Sequence, residues 1–164
     1  MGYEGSWSGM RKYLEKEMLA DSLKGRIRFG CTRYIGMDGW KIFEVCIDNK
    51  QVKRFSYETL FAYLRKEVYK KEIITWSDLL DYIENNPVNT RCVYVHWEFT
   101  DALAEYRNQD IKFSLNSDNP IVRMFAILDR RVGKRTLKKL KDTLDKQPEW
   151  LKQFYALRFE AESL

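Results

Sequence analysis

Apolar spacing changes at Gly25, and that change limits the folds open to this chain more than any motif does. Before it, Met10, Tyr13, Leu14 and Met18 recur at intervals of three and four, the spacing of one helical face, with Ser6 or Ser8 placed to cap the start. After it, over residues 26–34, Ile27, Phe29 and Cys31 alternate with Arg26, Arg28, Gly30 and Thr32, the two-residue period of a half-buried strand. Met37-Asp38-Gly39 reads as a turn into a second strand at 40–47, and Asp48-Asn49-Lys50 as a tight turn into a third at 51–55. A meander of three short antiparallel strands needs an apolar cover on one face, and the flanking helices are the expected cover.

Helical spacing then resumes. Ser56 caps a helix reaching about Lys71, with Leu60, Phe61, Leu64 and Val68 on its stripe, and Thr75-Trp76-Ser77-Asp78 has capping-box spacing for a shorter one ending at Asn85-Asn86-Pro87. Residues 91–99 carry Val, Tyr, Trp and Phe, a composition that favours a strand. Thr100 is the expected cap of a helix near 101–108, and Asp110 of a short one to Leu115. Asn119-Pro120 is a start signal, because proline at the first helical position gives up no hydrogen bond. Pro148 is read the same way for a last helix with Leu151, Phe154, Tyr155 and Phe159 inward. The expectation is a single α+β domain over 1–164: an N-terminal helix and a three-stranded antiparallel meander packed with a mainly helical C-terminal half.

The basic excess is local. The chain has 29 Lys and Arg against 24 Asp and Glu, a net +5, and Asp129 to Lys146 alone holds eight basic and three acidic side chains. Within it, Leu137, Leu140 and Leu144 mark an inward helical face, while Arg135, Lys138, Lys139 and Lys146 project outward, with Asp142 and Asp145 spaced to pair with Lys138 and Lys141. These outer lysines read as a solvated face. The preceding D-R-R-V-G-K-R, residues 129–135, reads as a junction between helices, with Arg130 and Arg131 in the last turn of one helix and Gly133 at the position that favours positive φ. Arg130, Arg131, Lys134 and Arg135 are thus candidates to hold an acidic partner, nucleic acid or a protein surface. Arg33 shares strand parity with Ile27 and Phe29, which predicts a buried guanidinium paired with Glu44 or placed to bind an anion.

Other chemistry is thinly represented. His96 stands alone between Val95 and Trp97, and Cys31, Cys46 and Cys92 form no C-x-x-C, so a metal site is not expected. No Gly-rich phosphate loop, G-x-S-x-G or H-E-x-x-H is present, and no cofactor is expected. Charges interrupt every apolar run before membrane-helix length, and no secretory signal pattern opens the chain, which leaves a cytoplasmic expectation.

Several segments together resemble a family of short bacterial proteins described only as hypothetical: W-S-x-x-R-K-x-L from Trp7, S-L-x-G-R-I from Ser22, T-R-Y from Thr32, N-P-I-V-R from Asn119 and D-R-R-V-G-K-R from Asp129. The resemblance implies a bacterial, cytoplasmic, single-domain protein and carries no activity with it. The residues themselves favour a non-catalytic binding protein that applies the 130–135 junction to an acidic partner. The alternative is a small enzyme on a phosphorylated or nucleotide substrate, with Arg33 and the junction as anion clamps and Asp129 as acid or base.

Overall fold

The computed structural model describes residues 6–33 and 41–164. Ser6 caps helix α1 (Trp7–Lys12) by accepting from the Gly9 N–H, and the helix continues as a wider π-type turn over Tyr13–Met18. The meander follows as β1 (Ile27–Arg33), β2 (Lys41–Ile47) and β3 (Lys50–Phe55), antiparallel in the order β1-β2-β3. The expected turn at Met37-Asp38-Gly39 and the strand ends at Tyr34 and Trp40 fall outside the described residues. The second turn is tight: Asp48 and Asn49 have φ of 49° and 68°, the double left-handed conformation of a two-residue hairpin, and short polar side chains tolerate it best.

One face of the sheet builds the core. Ile27, Phe29, Phe43, Val45 and Phe55 are all buried, and their register pairs Phe29 with Val45 and Phe43 with Phe55. Phe43 stacks on Phe99 of α4 (His96–Arg107) at 4.4 Å between ring centroids, and Phe29 on Phe125 of α6 (Pro120–Leu128) at 6.1 Å. Large rings fill much volume with few rotatable bonds, so this aromatic layer joins sheet to helices with little void. Trp7 meets the same layer edge-on at Phe43, 5.3 Å between centroids, and so anchors α1.

The helical half differs from expectation in several places. Residues 91–99 are not a strand: Arg91 to Val95 is extended, with one isolated parallel bridge from Tyr94 to Phe55, and α4 begins at His96. The Val, Tyr, Trp and Phe that suggested a strand are there because this stretch runs through the core, where Tyr94, Val95 and Phe99 are fully buried. Glu98 accepts from the Val95 N–H at 3.4 Å and so helps close the helix start, while Thr100 lies inside the helix, bonded to the Trp97 carbonyl. As expected, Thr75 and Asp78 form a reciprocal capping box for α3 (Trp76–Asn85), which packs with α2 (Tyr57–Tyr63) around Leu60, Leu64 and Leu79. Helix α5 (Ile111–Leu115) follows Asp110, and Asn119 with Pro120 opens α6. Helix α7 (Lys134–Leu140) tightens to a 3₁₀ segment over Lys141–Lys146, and Pro148 caps α8 (Glu149–Ala161). That tightening moves Asp142 and Asp145 out of i,i+4 geometry, and among the described residues neither pairs with Lys138 or Lys141.

Candidate functional site

The D-R-R-V-G-K-R stretch is a braced turn. Helix α6 stops at Leu128, three residues short of Arg131, so neither Arg130 nor Arg131 lies in its last turn as the sequence suggested. Its chain end crosses the tail of the first helix instead: Ala20 donates to the Leu128 carbonyl and Arg130 N–H to the Met18 carbonyl, each at 2.9 Å, around a bridge from Leu19 to Asp129. Asp129 is 1% exposed, so its carboxylate must find donors inside the protein. Oδ1 accepts from the Arg131 N–H at 2.7 Å and from Nε at 3.1 Å; Oδ2 accepts from Arg131 Nη2 at 2.7 Å and from the Tyr106 hydroxyl. Burial, and then the bond to this carboxylate, raise the Tyr106 pKa and keep its proton in place as a donor. The hydrogen bond to Asp129 raises that of Arg131.

A second guanidinium lies beneath the turn. Arg158 of α8, buried at 2% exposure, donates to the carbonyls of Ile127, Asp129 and Val132 at 2.9, 2.8 and 2.8 Å, and its Nε to Glu162 at 3.2 Å. One side chain thus reaches three carbonyls of the turn, of which that of Asp129 also accepts from the Val132 N–H at 3.2 Å. Burial lowers the Arg158 pKa, with Glu162 opposing. Gly133 is not the left-handed residue that the sequence suggested: at φ −82°, ψ 167° it is extended and caps the start of α7.

The candidate residues therefore separate. Arg131 turns back onto Asp129, and Asp129, with both oxygens occupied, braces the turn rather than standing ready as an acid or base. Arg130, Lys134 and Arg135 are exposed. Arg33 is exposed at the end of β1, where the strand outruns the helices that cover Ile27 and Phe29, and the expected burial is corrected. Glu44 stands opposite Gly30 and Arg54, and among the described residues no carboxylate pairs with Arg33. His96 opens α4 and Cys92 lies on the extended stretch before it, so the two share no helix face.

Beside the braced turn lies a groove of about 450 Å³ between α5 and α7. Ile111, Leu115, Val132 and Leu140 give it apolar walls; Lys112, Arg131 and Lys139 line it with positive charge, and none of its lining side chains is acidic. Arg131 also lines it, and its Nη1 takes no part in the pair to Asp129. Arg33 does not line it. Reading the sequence missed Tyr106, Arg158 and Lys112, and took Lys139 for part of a solvated face. Only Arg158 left a signal there: seven residues after Leu151, it places a charge on the apolar stripe of α8.

Meander, helical half and aromatic layer together define a small α+β protein, and among the described residues no helix is long and apolar enough to cross a membrane. A family model matches residues 6–159, and the chain belongs to the SF0329 protein family. A search of curated proteins and a search of solved structures gave no match.

Proposed function

We propose that the protein is a non-catalytic binding protein that holds an acidic segment of another protein in the groove beside the 129–135 turn. The observation that carries this reading is the pairing of apolar walls with the cations Lys112 and Lys139, beside Arg131 already paired to Asp129, and no carboxylate in the groove lining. Apolar side chains of a partner gain from leaving water against Ile111, Leu115, Val132 and Leu140, while its carboxylates meet Lys112 and Lys139. Arg130, Lys134 and Arg135, exposed on the adjoining turn, extend the positive field and draw an acidic partner in. A nucleic-acid backbone would use the cations and leave the apolar walls without a partner, so a protein segment fits this groove better. The brace of Asp129, Tyr106, Arg131 and Arg158 holds the groove's edge in one conformation, which reduces the ordering cost of binding.

The test is a titration by fluorescence anisotropy of a labelled peptide in which glutamate alternates with leucine and phenylalanine, against single-stranded DNA of equal charge, over a salt series. The peptide binds at low salt, weakens as salt rises, and loses about tenfold in affinity with Lys139→Glu. Tighter binding of the DNA, or a peptide affinity indifferent to Lys139→Glu, contradicts the proposal.

A further inference from the structure

A second cation pair lies away from the turn, at the start of α6. Arg123, from the N-P-I-V-R stretch, donates from Nε to Gln147 Oε1 at 3.1 Å and from Nη1 to the Ser117 carbonyl at 2.7 Å. Both partners are neutral, and the guanidinium keeps one Nη1 hydrogen and both Nη2 hydrogens outside these bonds. Lys146, exposed at the end of the 3₁₀ segment, lines the same cavity of about 400 Å³. Among the described residues no carboxylate pairs with Arg123 or Lys146, and no acidic side chain lines the cavity.

The opposite wall is rigid. Arg91, itself a lining residue, donates to the Asn86 carbonyl at 2.7 Å and to the Val93 carbonyl at 3.1 Å, and grips both oxygens of Glu98 at 3.1 and 2.6 Å. Its charge is thereby cancelled, and its bonds fix the loop that carries Asn89, Thr90 and Cys92 into the wall. The excess positive charge of the cavity belongs to Arg123 and Lys146. Tyr63 and Tyr82 complete the lining, and burial, with the neighbouring Tyr63, holds Tyr82 in its protonated, donating form.

We infer that this cavity is a binding site for a small phosphate monoester, with the phosphate between Arg123 and Lys146 and the organic part against Tyr63, Tyr82, Asn89 and Thr90. Two uncompensated cations match a phosphate dianion, whereas a single carboxylate would leave one of them unbalanced. The guanidinium hydrogens outside the bonds to Gln147 and Ser117, shared with the nearby Tyr155 hydroxyl, suit the tetrahedral oxygens, and phenol, amide and hydroxyl groups in the lining suit a polyhydroxylated body such as a sugar. This site is independent of the groove beside the turn and rests on different residues.

Cys92 supplies the test, because its thiol is exposed and lines this cavity. Cys31 and Cys46 are half-buried and burial pushes their thiols up, so they alkylate more slowly and serve as internal controls. The rate of Cys92 alkylation by iodoacetamide at neutral pH is followed by peptide mass spectrometry, with and without a millimolar sugar phosphate, the same sugar, or inorganic phosphate. The sugar phosphate slows Cys92 by about tenfold, with the control cysteines unchanged, and Lys146→Gln raises the half-protecting concentration by about tenfold. Among the described residues the Lys146 side chain has no hydrogen bond or ion pair, so this variant retains the fold. Absence of protection by the sugar phosphate, or protection unchanged in Lys146→Gln, overturns the site. Equal protection by inorganic phosphate or by the bare sugar overturns the assignment to a phosphate ester.

Discussion

Arg158 donates to the backbone carbonyl of Asp129 at 2.8 Å, although 29 residues separate them. The same guanidinium satisfies the carbonyls of Ile127 and Val132, so the last helix holds the 129–135 turn in place. Arg158→Met keeps the apolar stem and removes the donor from the Ile127 and Val132 carbonyls, while the Asp129 carbonyl keeps the Val132 N–H and Glu162 keeps the Ser22 hydroxyl. A loss of about 3 kcal/mol or more in unfolding free energy is expected, measured by urea titration with an unchanged m-value. A loss below about 1 kcal/mol would show that the turn does not depend on Arg158.

The adjacent arginines of the turn should behave differently. Arg131 neutralises a carboxylate that is 1% exposed, although its own side chain is half in solvent at 52%, so solvent screening tempers the cost of its loss. Arg131→Ala is expected to destabilise by about 2 kcal/mol, since Asp129 then keeps only Tyr106 as a side-chain donor. Arg130 contributes a backbone N–H that survives substitution, and Arg130→Ala should stay within about 0.5 kcal/mol of the parent. Parallel thermal melts check both; equal losses would mean that the two arginines are interchangeable at the turn.

Lys53 gives the protein a pH signature. Its ammonium lies 4.6 Å from the Trp150 ring centroid and 5.0 Å from that of Tyr94, and donates to the Cys92 carbonyl. Burial pushes its pKa down from 10.5 to about 8. Between those values the unfolded chain holds a proton that the folded chain lacks, so this group makes stability rise with pH across that window. Its penalty is fully present below the folded value and gone above the unfolded one. The parent should therefore gain stability relative to Lys53→Met as pH rises from about 8 to about 10, read from melting temperatures in matched buffers. A difference that does not change with pH would place Lys53 in water.

Local chemistry made much of this fold legible. Alternation from Ile27 to Cys31, the Asp48-Asn49 turn, the Thr75 capping box and Asn119-Pro120 each act over a few residues, and each forms as the sequence predicts. Residues 91–99 misled because β-branched and aromatic side chains mark burial as readily as strand, and there the core imposes a helix from His96. Arg33 misled because parity fixes a face but not how far the covering helices extend along it. The site was legible only as a charged junction. Its inward half depends on Tyr106 and Arg158, 23 and 29 residues from Asp129, and the groove joins α5 to α7 across α6; no local pattern encodes such pairings.

The proposed function puts an acidic protein segment in the groove beside the braced turn. Amide chemical-shift mapping of the isotope-labelled protein, titrated with the glutamate-rich peptide, tests it directly. Perturbations should concentrate at Ile111, Lys112, Leu115 and Asn116, and from Arg131 to Thr143, and fade together as salt rises. Perturbations confined to the other exposed basic cluster, at Arg65, Lys66, Lys70 and Lys71, or none at saturating peptide, would contradict it.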